Sequence, residues 1–203
     1  MRILETRAAP NPRRVRIFLA EKGVAIPFEE LDLMAGAQRA PAFERLNPFR
    51  QVPVLLLDDG TALSETMAIC RYFEETNPEP ALFGRGPLER AVVEMWNRRV
   101  EFCLFAGVTQ AFRHLHPAMA RFEVPQVPAW GEANKAKAVA ALDILEEVLG
   151  RSPFVAGEHY SVADITALVA IDFMRPARIE RPQNHPNLAR WYERMAARPS
   201  AKA

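Results

Sequence analysis

Strand-like patterns stop at residue 87. Up to residue 80 the chain alternates short apolar runs with short helical ones. Beyond "NPEPALFGRGP" (77–87), a Pro/Gly-rich stretch that reads as a linker, only helical periodicity remains. A chain with that switch is α/β followed by all-α, with domains expected at 1–80 and 88–203 and a linker at 81–87. Nearly half of the 203 residues are hydrophobic, enough for a sizeable core.

In the first part "RILE" (2–5) reads as a strand. In "VRIFLAEKG", Val15, Phe18, Leu19 and Lys22 recur at helical spacing and Gly23 supplies a left-handed stop. Asn11-Pro12 reads as the helix start, with Asn11 as N-cap. "IPFEELDL" (26–33) is a second strand, and "APAFERL" (40–46) a second helix that Asn47-Pro48 ends. "VPVLLL" and "TALS" flank Asp58-Asp59-Gly60, a hairpin signal. "SETMAICRYFEE" follows as a third helix capped by Ser64, with Ile69, Cys70 and Phe73 on one face. The order β-α-β-α-β-β-α suits a four-stranded mixed sheet, since parallel pairing needs a helical crossover.

The second part opens with a helical run over 88–116. Val92, Trp96, Val100 and Cys103 form one stripe; Phe102, Phe105, Thr109 and Phe112 form its neighbour. "FEVPQVP" breaks the run, and Ala133, Val139, Leu142, Leu145 and Leu149 mark the next helix. "YSVADITALVAI" opens on a capping box, Ser161 with Asp164, and Tyr160 and Ile165 are placed to staple it; these polar residues serve folding. Leu188, Trp191, Tyr192 and Met195 mark a last helix.

With 26 Lys+Arg against 25 Asp+Glu the net charge is +1, which argues against a dedicated nucleic-acid or membrane-surface protein. Cys70 and Cys103 fall in apolar helical patterns and read as reduced, buried thiols. No signal peptide or 18-residue apolar run is present, so a cytoplasmic location is expected. His159 and His185 read as surface turn residues and His116 as a helix-end cation. No spacing of His, Cys and carboxylates suggests a metal.

The segments "RVRIFLAEKG", "NPFRQVPVLLLDDG", "LSETMAICRYF", "FVAGEHYSVADI" and "LARWYERMAARPS" lie in the order and spacing of cytosolic glutathione transferases, and the chain resembles that family. The resemblance implies a thioredoxin-like domain that binds glutathione, a helical domain that builds the pocket for an electrophile, and a homodimer. It implies that Pro53 follows a cis bond and turns the backbone of Val52 toward the cysteinyl part of glutathione, as an added strand edge would. Glu65 and Thr66 match the positions that receive the γ-glutamyl ammonium and carboxylate, and Gln51 one near the glycyl end. Arg14, Arg39 and Arg50 are open candidates for the glycyl carboxylate.

The family commonly places Tyr, Ser or Cys just after the first strand. Here the loop reads Thr6-Arg7-Ala8-Ala9-Pro10-Asn11-Pro12, which lacks all three and argues against a thiol-transferase mechanism. It is similar to an atypical subclass in which the glutathione thiol lies against the first helix's N-terminus and a water held from the helical domain takes the proton. By that likeness Ala9 and Asn11 are catalytic positions. Thr109 falls at the subclass's serine, and of its histidine pair only His114 is retained, Arg113 replacing the other. Phe105, Thr109 and Arg113 are candidates for the electrophile pocket. Lowering a thiol pKa from roughly 8.5 to about 6.5 takes about 2.7 kcal/mol. A helix N-terminus contributes ~0.3–1 kcal/mol, up to ~2 when partly buried. One charge-assisted hydrogen bond, from water or Thr6, adds ~1.5–3 kcal/mol. The expected activity is conjugation of glutathione to a small hydrophobic electrophile, in detoxification. The alternatives are a non-catalytic glutathione-binding or protein-interaction module, and a glutathione-dependent isomerase or peroxidase.

Overall fold

The computed structural model describes all residues, Met1–Ala203. The chain divides into two units: Met1–Ala81 with Pro199–Ala203, and Leu82–Arg198. The boundary falls between Ala81 and Leu82, and the last five residues group with the first unit.

The first unit contains β1 (Arg2–Glu5), α1 (Pro10–Lys22), β2 (Phe28–Glu30), α2 (Pro41–Leu46), β3 (Val54–Leu56), β4 (Ala62–Ser64) and α3 (Thr66–Thr76). The sheet order is β2-β1-β3-β4. β1 runs parallel to β2, across the α1 crossover, and antiparallel to β3. This is the expected thioredoxin-like arrangement. Gly60 at φ 88° closes the β3–β4 hairpin, and Gly23 at φ 66° ends α1 as its sequence position requires. Ile3, Ile17, Phe18, Leu55, Ile69 and Cys70 are buried in its core. Lys22 reaches under α3, pairing with Glu74 at 2.5 Å and donating to the carbonyls of Asn77 and Pro80. The C-terminal turn lies along α1: Arg13 donates to the Ala201 carbonyl at 3.1 Å and Ser200 donates to Glu21.

Two helix starts differ from expectation. α1 begins at Pro10, with Ala9 as N-cap, and Asn11 caps nothing; its Oδ1 accepts from Arg14 at 3.3 Å. α3 begins at Thr66, because Ser64 is spent in the β4 ladder and Glu65 takes the cap position at φ 69°.

The second unit is all-α: α4 (Gly86–Arg99), α5 (Ala106–Leu115), α6 (Pro128–Leu149), α7 (Val162–Met174) and α8 (Pro186–Ala196). α4 and α5 are one run interrupted by a π-helical segment at Val100–Phe105. The buried stripe is Val93, Asn97, Val100, Leu104 and Val108, one residue round from the Val92–Trp96 stripe expected. Asn97 holds its place by accepting from the Thr166 hydroxyl at 2.7 Å. Cys103 is exposed, contrary to expectation, because the buried position at this turn is its neighbour Leu104. His185 is also corrected. It is buried, with its Nε2 2.9 Å from Asp143, while His159 is exposed as expected.

The capping box forms as predicted. Asp164, fully buried, accepts from the Ser161 N–H, the Val155 N–H and the Trp191 indole N–H. Burial pushes its pKa up against those donors. No helix is long and apolar enough to cross a membrane.

Candidate functional site

The strand registers bring three separate stretches to one end of the sheet. Leu4 pairs with Val54, and Val54 with Ser64. One step on, the end of β1, the start of β3 and the end of β4 emerge together, carrying Thr6–Asn11, Gln51–Pro53 and Glu65–Thr66. The half-buried Ala9 packs on the cluster of Leu4, Phe43, Val52 and Val54, which fixes two of these stretches against each other.

The Val52–Pro53 bond is cis. The Val52 side chain is buried, while its backbone N–H and C=O make no hydrogen bond within the chain. They form a short unsatisfied strand edge beside β3, and an extended peptide can pair with it. Asn47 supports this edge. Its side chain is buried, donates to the Gln51 carbonyl at 2.8 Å and accepts from the Phe49 N–H at 3.0 Å. Asn47 also ends α2 as its sequence position implies, and its local side-chain bonding is an ordinary habit of Asn in turns. The Gln51 side chain is exposed.

Glu65 is exposed, and its carboxylate has no hydrogen-bond or ion-pair partner. A carboxylate at a helix N-cap ordinarily turns back to the first N–H groups. Here the positive φ directs the chain elsewhere, leaving a free anion beside the uncapped start of α3, where Thr66 is the first residue. An anion-binding helix end next to a free carboxylate suits a zwitterionic group.

The β1–α1 loop is more tightly bonded than its sequence suggests. Thr6 donates its hydroxyl proton to the Leu31 carbonyl at 2.5 Å, so it is not available to sulfur, contrary to the expected alternative. The Arg7 N–H donates to both carboxylate oxygens of Glu30 at 3.1 Å, and the Ala9 N–H to the Thr6 carbonyl at 2.9 Å. Pro10 and Pro12 have no N–H. The start of α1 therefore presents one unpaired amide from its first three residues, that of Asn11, and the loop presents that of Ala8.

Of the three candidate arginines, Arg14 is buried and Arg50 pairs with Glu44 at 2.5 Å, whereas Arg39 is exposed and makes no ion pair.

The remaining expected residues lie in the second unit. The Thr109 hydroxyl donates to the Ala106 carbonyl at 3.0 Å. His114 is buried and its Nδ1 accepts from the Val127 N–H at 3.1 Å, which places the proton of the neutral ring on Nε2, 3.9 Å from Glu123. Phe105 is a core residue. Arg113 is exposed and pairs with Glu123 at 2.7 Å. Phe112, by contrast, stacks half-buried against Phe173 and His116, with ring centroids 5.0 and 4.8 Å away. No group of three His, Cys, Asp or Glu side chains is arranged to hold a metal.

Comparison with known proteins matches residues 8–76 to the glutathione S-transferase N-terminal domain and residues 128–194 to the glutathione S-transferase C-terminal domain. The chain belongs to the glutathione S-transferase family. It is 38% identical to glutathione S-transferase 2 of Saccharomyces cerevisiae over 205 residues, covering all of this chain and 88% of that one. The crystal structure of yeast Gtt2 superimposes with a TM-score of 0.95, covering 100% of this chain and 99% of that one at 38% identity. A glutathione S-transferase domain-containing protein of Marinobacter aquaeolei superimposes at 0.96, covering 98% and 99% at 40% identity.

Proposed function

We propose that the thiol of glutathione is ionised at the Ala8–Asn11 turn, without a protein hydroxyl or thiol, for attack on a small hydrophobic electrophile. The chain is a glutathione transferase with glutathione as co-substrate. The observation that carries the mechanism is the set of unsatisfied groups at one end of the sheet. The Val52 N–H and C=O pair with the cysteinyl backbone. Glu65 and the start of α3, at Thr66, take the γ-glutamyl ammonium and carboxylate. Gln51 and the unpaired Arg39 serve the glycyl end. Sulfur then reaches the two remaining amides, those of Ala8 and Asn11, over the small Ala8 and Ala9 side chains. A helix start of ~0.3–2 kcal/mol and one charge-assisted bond of ~1.5–3 kcal/mol reach the ~2.7 kcal/mol needed.

The water-acceptor role of Thr109 and His114 rests on the family likeness. With Nδ1 of His114 occupied by Val127, the ring can hold a water through Nε2–H but offers it no basic lone pair. The proton therefore passes to solvent. Of the electrophile-pocket candidates, Phe105 is buried in the core and Arg113 is ion-paired, while Thr109 and Phe112 are half-buried. Homodimerisation, a cytoplasmic location and detoxification are proposed on the same likeness.

An isomerase reading draws on rat maleylacetoacetate isomerase, 33% identical over 155 residues that cover 75% of this chain and 68% of that one. The test is calorimetry with glutathione, followed by thiolate absorbance near 240 nm at neutral pH and turnover of a chlorinated dinitrobenzene. Binding without thiolate absorbance would overturn the mechanism, and absence of binding the site itself.

A further inference from the structure

Arg16 is an anomaly in α1. Its neighbours Val15, Ile17, Phe18 and Leu19 are all buried, and its own side chain is 6% exposed. Its Nη1 meets Glu5 Oε2 at 2.5 Å, and its Nη2 donates to the Arg7 carbonyl at 2.8 Å. Glu5 is itself buried at the end of β1. One planar guanidinium thus ties the strand end to the loop that follows, a task its fixed fork geometry suits.

The second contact has a consequence for the neighbouring residue. The Arg7 carbonyl and the Ala8 N–H belong to one planar trans peptide and point in opposite directions. A carbonyl held inward on the buried Arg16 aims the Ala8 N–H outward, where it finds no partner in the chain. The Arg7 N–H, bonded to Glu30, secures the preceding peptide. Without Arg16 the Arg7–Ala8 peptide would be free to flip, turning a carbonyl oxygen toward the thiolate.

We infer that Arg16, paired with Glu5, is a positioning residue that sets the Arg7–Ala8 peptide so that the Ala8 N–H faces the glutathione sulfur. This rests on the proposed ionisation of the thiol at that turn. Glu5 neutralises the Arg16 charge, so Arg16 acts through the geometry of the peptide and not through its field.

The test uses Arg16→Lys, in which an ammonium can pair with Glu5 but cannot span both partners. The thiol pKa in the enzyme–glutathione complex, read from the 240 nm absorbance and from the pH profile of kcat/KM, is expected to rise by about one unit. That corresponds to a roughly fivefold loss of kcat/KM at pH 6.5, approaching tenfold at lower pH, that vanishes above the raised thiol pKa. Affinity for S-methylglutathione, which has no ionisable thiol, should be unchanged. A pH profile identical to wild type, or the same loss at every pH, overturns the inference. Should the single variant not fold, Glu5→Gln/Arg16→Met removes both charges together and is expected to show the same shift. In the wild-type complex the Ala8 amide proton resonance should move as the thiol titrates, and a stationary resonance also overturns the assignment. If wild-type protein takes up no glutathione, the reading of the site fails instead.

Discussion

Ser64 of β4 pairs with Val54 of β3, and the next residue, Glu65, leaves the sheet at φ 69° beside Pro53. A non-glycine residue in that region stores ~1–3 kcal/mol of backbone strain. Glu65 shows no intramolecular compensation, since its carboxylate is unpartnered. Glu65→Gly is therefore expected to raise stability in urea by about 1 kcal/mol, somewhat offset by the entropy of glycine. Removing a charged partner of the ammonium should at the same time weaken glutathione binding by about 1.5–3 kcal/mol, roughly 10- to 150-fold. Calorimetry and urea denaturation of one variant check both. A variant that binds glutathione normally would detach Glu65 from the site.

Asp164 joins three elements, the 155 turn, the α7 start and α8, through the Val155, Ser161 and Trp191 donors. Asp164→Ala removes a helix cap worth ~0.5–2 kcal/mol and leaves buried N–H groups that cost about 1–3 kcal/mol each when unpaired. The expected loss is at least about 3 kcal/mol, measured as a lower urea midpoint. Glutathione affinity of the folded fraction should not change, because the glutathione-binding residues belong to the other unit.

Glu146 of α6 caps α8 from outside. It accepts from the Asn187 N–H at 3.1 Å and the Leu188 N–H at 2.8 Å, in place of any side-chain cap from His185. Partial burial would raise its pKa, but the amides of Leu188 and Asn187 and the nearby His185 outweigh that and hold it below its ordinary value of 4.5. With a folded pKa below the unfolded one, the bonus is complete above about pH 4.5 and disappears as pH falls through the folded value. Glu146→Gln should cost about 0.5–2 kcal/mol at neutral pH. Its Tm should also fall less steeply than that of wild type between pH 5 and pH 3. Parallel Tm curves would contradict the assignment.

The hairpin at Asp58-Asp59-Gly60, the Gly23 stop and the Ser161–Asp164 box were legible because each is a local device, settled by neighbours in sequence. The errors arise where a distant partner decides. Asn97 looks too polar for a core stripe until Thr166 is seen bonded to it, and His185 looks like a turn residue until Asp143 is found against it. Cys103 fails for a different reason: the stripe lies one residue round, and Leu104 takes the buried position. At the candidate site, the stretches around Val52 and Glu65 could be read from sequence motifs. The loop bonding that spends Thr6 and Ala9 could not, because Leu31 and the Thr6 carbonyl compete for their protons. Arg16 and Glu5 gave one faint signal, an acid ending an apolar strand and a base inside an apolar helix.

The prolines on either side of Asn11 allow a clean test of the helix amide. Pro10 and Pro12 occupy the first and third positions of α1, so Asn11 carries the one N–H among the first three. The Arg13 N–H already closes the turn on the Ala9 carbonyl. Proline is tolerated in a first helical turn, since no intrahelical bond is lost there. Asn11→Pro deletes that donor together with the side-chain contact to Arg14, in a first turn that already holds two prolines. The thiol pKa of bound glutathione is expected to rise by about 1–2 units, the equivalent of a charge-assisted bond of ~1.5–3 kcal/mol. Conjugation at pH 6.5 should fall by about 5- to 50-fold. Asn11→Ala keeps the N–H and loses only the 3.3 Å contact with Arg14, so its thiol pKa should match wild type. Equal shifts in the two variants would mean that the Asn11 side chain, and not its amide, bears on the sulfur.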